Sequence, residues 1–95
     1  MARRRYLLTY DISDDARWRQ VHEAARRFGY RLQYSVFICD LDAMERTKLL
    51  WDLGDAIDHH VDKIALIDLG DAYRVDRITF LGVRPTMPSH GPTIV

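Results

Sequence analysis

The sequence predicts an α+β domain: one antiparallel sheet with two helices on a single face. Three observations point to it. Apolar residues run or alternate as strands require over Arg5–Asp11, 30–41 and Lys63–Leu69. Between these stretches lie two segments with helical spacing and N-cap signals. The resulting order of strand, helix, strand region, helix, strand, with helices of similar length, suits a split β-α-β sandwich. At 95 residues the chain is one domain, and a domain this small buries only about 60–65% of its unfolded surface. Its core is thin, and support from a second subunit is expected.

The first strand, Arg5–Asp11, is a nearly continuous apolar run through Tyr6, Leu7, Leu8 and Tyr10, as a central strand requires. Ser13, Asp14 and Asp15 then supply capping oxygens and negative charge for a helix N-terminus. Trp18, Val21, Ala25 and Phe28 fall on one stripe of that helix, Arg26 and Arg27 suit its last turn, and Gly29 stops it. Over Tyr30–Leu41, Leu32, Tyr34, Val36, Ile38 and Asp40 alternate with Gln33, Ser35, Phe37 and Cys39. One long bent strand and a hairpin pivoting near Tyr34–Ser35 both satisfy that pattern.

Asp42 and Glu45 have capping-box spacing, so a second helix starts there and runs to about Ile57 on Leu49, Leu50, Leu53 and Ile57. Asp58-His59-His60 reads as a loop, Lys63–Leu69 as a strong strand and Gly70-Asp71 as a turn. Val75–Gly82 is an additional strand, with Ile78 and Phe80 alternating against Arg77 and Thr79. Pro85, Pro88 and Pro92 forbid regular pairing beyond it, so residues 1–82 form the domain and 83–95 a proline-rich tail. The two helices cover one sheet face. Apolar residues at both phases of the strands imply that a second sheet, most simply that of an identical subunit, covers the other.

Composition narrows the function. A hydrophobic share of 47% and a charged share of 29% are those of a globular protein. No apolar run approaches the ~20 residues of a membrane span, which excludes a membrane partner of that kind. The basic first residues are not followed by the apolar core and cleavage site of a signal peptide, so a cytoplasmic location is expected. A lone Cys39 reads as a small buried apolar residue. Net charge is zero, yet eight arginines precede position 32 against four acids, and the remainder is correspondingly acidic. An arginine-rich face that meets phosphates fits this asymmetry, and so do solvated helix faces.

Two segments carry chemistry. In Tyr10-Asp11-Ile12-Ser13-Asp14-Asp15 a carboxylate stands at the tip of a buried strand beside a helix N-terminus. Mg²⁺ needs only one or two protein carboxylates if waters and phosphate oxygens complete its shell, and a two-fold axis near Asp11 would provide two. Shaping the turn and capping the helix explains the same carboxylates. In Tyr30-Arg31-Leu32-Gln33-Tyr34-Ser35-Val36-Phe37, donors and aromatic rings share a strand that can grip a backbone or stack bases, or simply alternate between core and solvent. His22, His59, His60 and His90 are scattered and read as surface or capping residues. Glycine-rich phosphate loops, zinc-type histidine pairs and a nucleophile elbow are missing from the sequence.

These two segments, in this order, with Arg17, Arg19 and Val21 between them, resemble the Cas2 family of small CRISPR-associated adaptation proteins. The resemblance covers Arg5 to about Leu69, and more loosely the additional strand. It implies a ferredoxin-like β-α-β-β-α-β protomer with an extra C-terminal strand exchanged across a homodimer. It also implies a complex in which this dimer sits between subunits of a CRISPR integrase and holds double-stranded DNA during spacer acquisition. In the family, the aspartate matching Asp11 is the proposed ligand of a catalytic divalent cation. Some members are described as metal-dependent endonucleases acting on RNA or DNA. The resemblance thus marks Asp11 as the catalytic and Mg²⁺-binding residue, and Arg17, Arg19, Arg31 and Ser35 as candidates for nucleic-acid phosphate contact or for support of the site. A toxin-like ribonuclease of related fold, acting without an integrase, is the alternative.

Overall fold

The computed structural model describes residues 2–74 and 77–87. Its elements are β1 (Arg4–Asp11), α1 (Asp15–Phe28), β2 (Tyr30–Gln33), β3 (Val36–Leu41), α2 (Ala43–Ala56) and β4 (Lys63–Asp71). The sheet order is β2-β3-β1-β4, and every pairing is antiparallel. This is the ferredoxin-like arrangement, with β1 at the centre as its apolar run requires. The hairpin reading of residues 30–41 is the correct one: β2 and β3 turn at Tyr34–Ser35.

Capping chemistry fixes both helices. The Asp14 side chain accepts from the backbone N–H of Arg17 at 2.9 Å, satisfying one of the donors that a helix N-terminus leaves open. At α2 the capping box is complete: the Asp42 carboxylate accepts from Glu45 N at 2.8 Å, and Glu45 Oε1 accepts from Asp42 N at 3.0 Å. Arg3 also pairs with Glu45, tying the start of the chain to this cap.

Tyr6, Leu8, Tyr10, Phe37, Cys39 and Leu41 point from the sheet into the helix layer. They meet Val21, Ala24 and Ala25 of α1 and Leu49 and Leu53 of α2, with Trp18, Phe28 and Ile57 packed against the rim. Cys39 is buried as expected, and burial pushes its thiol up to about 12. Leu50 departs from the expected stripe and is 38% exposed. Its position next to Leu49 turns it about 100° away from the sheet.

Gly29 ends α1, but not through the left-handed geometry that a glycine stop implies. Its backbone is extended, at φ −158° and ψ −172°. What the position demands is room, because a Cβ there would stand 2.4 Å from the Ile38 carbonyl oxygen and 2.6 Å from Cys39 Sγ. The turn expected at Gly70-Asp71 is instead a bulge inside β4. The β1–β4 register shifts between Arg5 and Tyr6, and Gly70 takes the positive φ of 100° that this needs. The turn follows at Ala72–Tyr73.

An additional strand was expected over Val75–Gly82. Val75 and Asp76 lie outside the described residues, and 77–87 contain no strand. A strand exists only against an edge that supplies its hydrogen bonds, and the expectation placed that edge on a second subunit. Among the described residues, no helix is long and apolar enough to cross a membrane.

Candidate metal and nucleic-acid site

The sheet face away from the helices is built from rows of register partners, whose side chains share a face. One row is apolar from edge to edge: Tyr30, Ile38, Leu7 and Ile67. Its ends are open, with Tyr30 48% and Ile67 45% exposed. The next row holds Val36, Thr9 and Ala65, and the last pairs Asp11 with Lys63. In the opposite direction lies a buried ion pair, Arg5 with Asp40. The Arg5 Nε and Nη2 donate to the two Asp40 carboxylate oxygens, both at 2.8 Å. Thus an apolar sheet face runs from a desolvated salt bridge to an exposed carboxylate.

Asp11 sits at the end of β1, exposed, in a shallow groove lined by Thr9, Ser35, Val36, Lys63 and Ala65. It makes no ion pair among the described residues, unlike Asp14, which caps α1 and lies 3.8 Å from Arg17. Nor does any group of three or more His, Cys, Asp or Glu suited to a metal form among the described residues. One protomer therefore offers Mg²⁺ a single carboxylate beside an ammonium from Lys63. That is half of the donor set expected, and it fits the ion only if a second Asp11 and phosphate oxygens join it.

The four candidates for nucleic-acid contact or site support are not equivalent. Arg17 forms a bidentate pair with Asp62, Nε to Oδ2 at 2.7 Å and Nη2 to Oδ1 at 3.3 Å. The Asp62 side chain is 1% exposed, and the guanidinium holds its carboxyl below the usual range. This pair fastens the first turn of α1 to the residue that precedes β4. Ser35 Oγ accepts from Trp18 Nε1 at 3.1 Å, so it serves as a bracket for the indole. Arg31 lies outside the core, its Nε donating to the Gln33 carbonyl at 3.2 Å and its guanidinium 5.6 Å from the Tyr34 ring centroid. Arg19 is exposed on α1, beside the groove that separates it from α2.

The arginine surplus of the first third of the chain shrinks once geometry is counted. Arg3, Arg4, Arg5, Arg17, Arg26 and Arg27 all stand in ion pairs. Among the described residues, Arg19 and Arg31 have no acidic partner. Of the four candidates, Arg19 and Arg31 are thus cations without an acidic partner among the described residues, while Arg17 and Ser35 also brace the local architecture.

A ring stack beside the groove was not anticipated. Tyr34, Trp18 and His22 lie nearly parallel, with centroid separations of 4.6 and 4.5 Å. The Tyr10 hydroxyl and His22 Nδ1 share a hydrogen bond of 2.8 Å. Burial, helped by Arg31 and Arg26, lowers the His22 pKa, and burial pushes Tyr10 up to about 12. His22 is therefore neither a surface nor a capping residue. The i, i+4 spacing of Trp18 and His22 was readable in the sequence; the arrival of Tyr34 from a hairpin turn was not. His59 does cap, its Nε2 lying 2.8 Å from the Gly54 carbonyl, His60 is exposed, and His90 lies outside the described residues.

Comparison with known proteins adds an independent line. Residues 4–77 match the family CRISPR associated protein Cas2. The chain is 41% identical over 71 residues to the CRISPR-associated endoribonuclease Cas2 1 of Rhodospirillum rubrum, covering 75% of this chain and 70% of that one. It is 31% identical over 93 residues to the CRISPR-associated endonuclease Cas2 of Halalkalibacterium halodurans, covering 93% and 96%. The crystal structure of Streptococcus pyogenes Cas2 superposes with a TM-score of 0.72 at 31% identity, over 82% of this chain and 99% of the other. Central β1 ending in Asp11, a hairpin carrying Arg31 and Ser35, and these matches over most of the length converge on one assignment: the chain belongs to the CRISPR-associated Cas2 family.

Proposed function

We propose that two copies of this chain pack through their helix-free sheet faces and hold double-stranded nucleic acid between CRISPR integrase subunits during spacer acquisition. The observation that carries this reading is the row Tyr30–Ile38–Leu7–Ile67, an apolar band with exposed ends on the face that no helix covers. Ile38 in the middle of the band is already buried within one chain, so the exposed ends Tyr30 and Ile67 are what packing against a second copy takes from water, and that packing brings the two Asp11-bearing ends into one assembly. Arg19 and Arg31 are the arginines of the first third left for phosphate, and Lys63 in the Asp11 groove is a further cation outside any ion pair among the described residues. Arg17 and Ser35 contribute by holding α1 and the hairpin in place.

A second activity is favoured by the names of the relatives, which include both endoribonuclease and endonuclease, and by the exposure of Asp11. In this reading two Asp11 carboxylates share Mg²⁺, which when bound polarises a phosphodiester and activates water. The chain's own part is to present the carboxylate at the end of a rigid central strand, with Lys63 in register opposite it. Cleavage of RNA or DNA should then vanish in Asp11→Ala, while duplex binding and integrase assembly persist. The toxin-like alternative keeps the same site but forms no integrase complex, and co-purification with the integrase separates the two.

Salt dependence tests the nucleic-acid reading. Arg19 and Arg31 alone make four cations per dimer, and a log–log slope at least as steep as about −3.6 follows from about 0.9 per neutralised phosphate. Duplex affinity should fall roughly a hundredfold or more between 50 and 200 mM salt. A flat response over that range would overturn the reading.

A further inference from the structure

The stack that Ser35 and Tyr10 tie to the lining of the Asp11 groove has an open end. Tyr34 is 64% exposed although it lies 4.6 Å from Trp18 at an interplanar angle of 17°. The rings behind it are pinned: Trp18 by Ser35 Oγ at 3.1 Å, and His22 by the Tyr10 hydroxyl at 2.8 Å. Behind these, His22 meets Phe37 of the core edge-on, with centroids 5.5 Å apart. An aromatic ring so backed has little side-chain freedom left to lose when something stacks on it. Arg31 adds a cation 5.6 Å from the same ring, its terminal nitrogens making no hydrogen bond among the described residues. Tyr34 also adjoins Ser35 in sequence, and Ser35 lines the Asp11 groove.

Exposed, rigidly backed aromatic rings beside a guanidinium form the stacking platforms of proteins that bind unpaired bases. A base inside a duplex already has neighbours on both faces and presents none to a ring, whereas an unpaired base is open. We propose that Tyr34 is a stacking platform for one unpaired nucleobase, with Arg31 taking the adjoining phosphate. This rests on the nucleic-acid reading above and sharpens it: the preferred ligand is a duplex or strand in which a base beside the Asp11 groove is unpaired. Tyr34 acts through its ring face, so phenylalanine should replace it and leucine should not.

The test uses the full chain at fixed salt and two DNA probes, a blunt duplex and the same duplex with one unpaired 2-aminopurine bulge. The native protein should bind the bulged probe about 5- to 150-fold more tightly than the blunt one, the span of a single base–aromatic stack, and quench its fluorescence. Tyr34→Leu should lose both the preference and the quenching while its affinity for blunt duplex stays within about twofold. Tyr34→Phe should keep both. Sedimentation of Tyr34→Leu should match the native protein; a change of mass would mean that Tyr34 serves a subunit contact and would overturn the proposal. Retained preference in Tyr34→Leu, or native binding that ignores the bulge, overturns it alone. Native protein that binds neither probe overturns the nucleic-acid reading and this proposal together.

Discussion

Replacing Gly29 with alanine probes the joint on which the hairpin depends. An alanine Cβ would stand 2.4 Å from the Ile38 carbonyl oxygen and 2.6 Å from Cys39 Sγ, against about 3.5 Å for ordinary non-bonded contact. The overlap is about 1 Å on a backbone atom in the middle of β3, so no rotamer change relieves it. Because the residue is extended, alanine adopts its φ and ψ freely and even stabilises by about 0.4–1 kcal/mol through the unfolded chain. Overpacking of this kind costs about 1–3 kcal/mol, and contact with backbone argues for the upper part of that range. A net loss of about 1–2.5 kcal/mol follows, which in a domain of this size lowers Tm by roughly 5–20 °C. Thermal unfolding followed by circular dichroism reads it directly. In a Cys39→Ala background the sulfur contact disappears and the carbonyl contact stays, so Gly29→Ala should still destabilise. A Gly29→Ala protein as stable as the native one would refute the close-approach reasoning.

Asp40→Ala should destabilise by about 3–5 kcal/mol in denaturant titrations, because it removes the carboxylate that accepts two hydrogen bonds from the buried Arg5 guanidinium. The paired change of Arg5→Met with Asp40→Leu should recover most of that loss; a single change costing under about 1 kcal/mol would show that the pair matters little. The Asp62 carboxyl, held below its ordinary 3.8 by Arg17, contributes stability that is present above about pH 4 and is lost as pH falls through its depressed folded value. Asp62→Asn should therefore be less stable at neutral pH and show a flatter acid limb, and an acid limb unchanged from the native protein would count against the Arg17–Asp62 pair.

Local signals in the sequence were sufficient wherever local chemistry decides the structure. The Asp42–Glu45 box and the Asp14 cap lie within four residues of their targets, and the apolar run of β1 could only be a central strand. The choice between a bent strand and a hairpin at Tyr34–Ser35 could not be made locally, since both keep the same alternation. What escaped is long-range. Arg17 finds Asp62 across 45 positions and Arg5 finds Asp40 across 35, so two arginines that the sequence shows only as surplus positive charge stand in ion pairs. Ser35 likewise binds the indole of a residue on another element. Gly29 was legible as a helix stop, but the reason for glycine there is the closeness of β3, which no local pattern encodes. Asp11 was legible as a candidate because its position at a strand tip is itself a local property; the second carboxylate that the proposal calls for would come from another copy of the chain.

The ion stoichiometry of Asp11 bears most directly on the idea that this residue is half of a shared site. Titrating the native protein with Mn²⁺ as a stand-in for Mg²⁺, by calorimetry, should give one ion for every two chains, and Asp11→Asn should abolish that binding without changing the sedimentation mass. One ion for each chain, or binding that persists in Asp11→Asn, would contradict it.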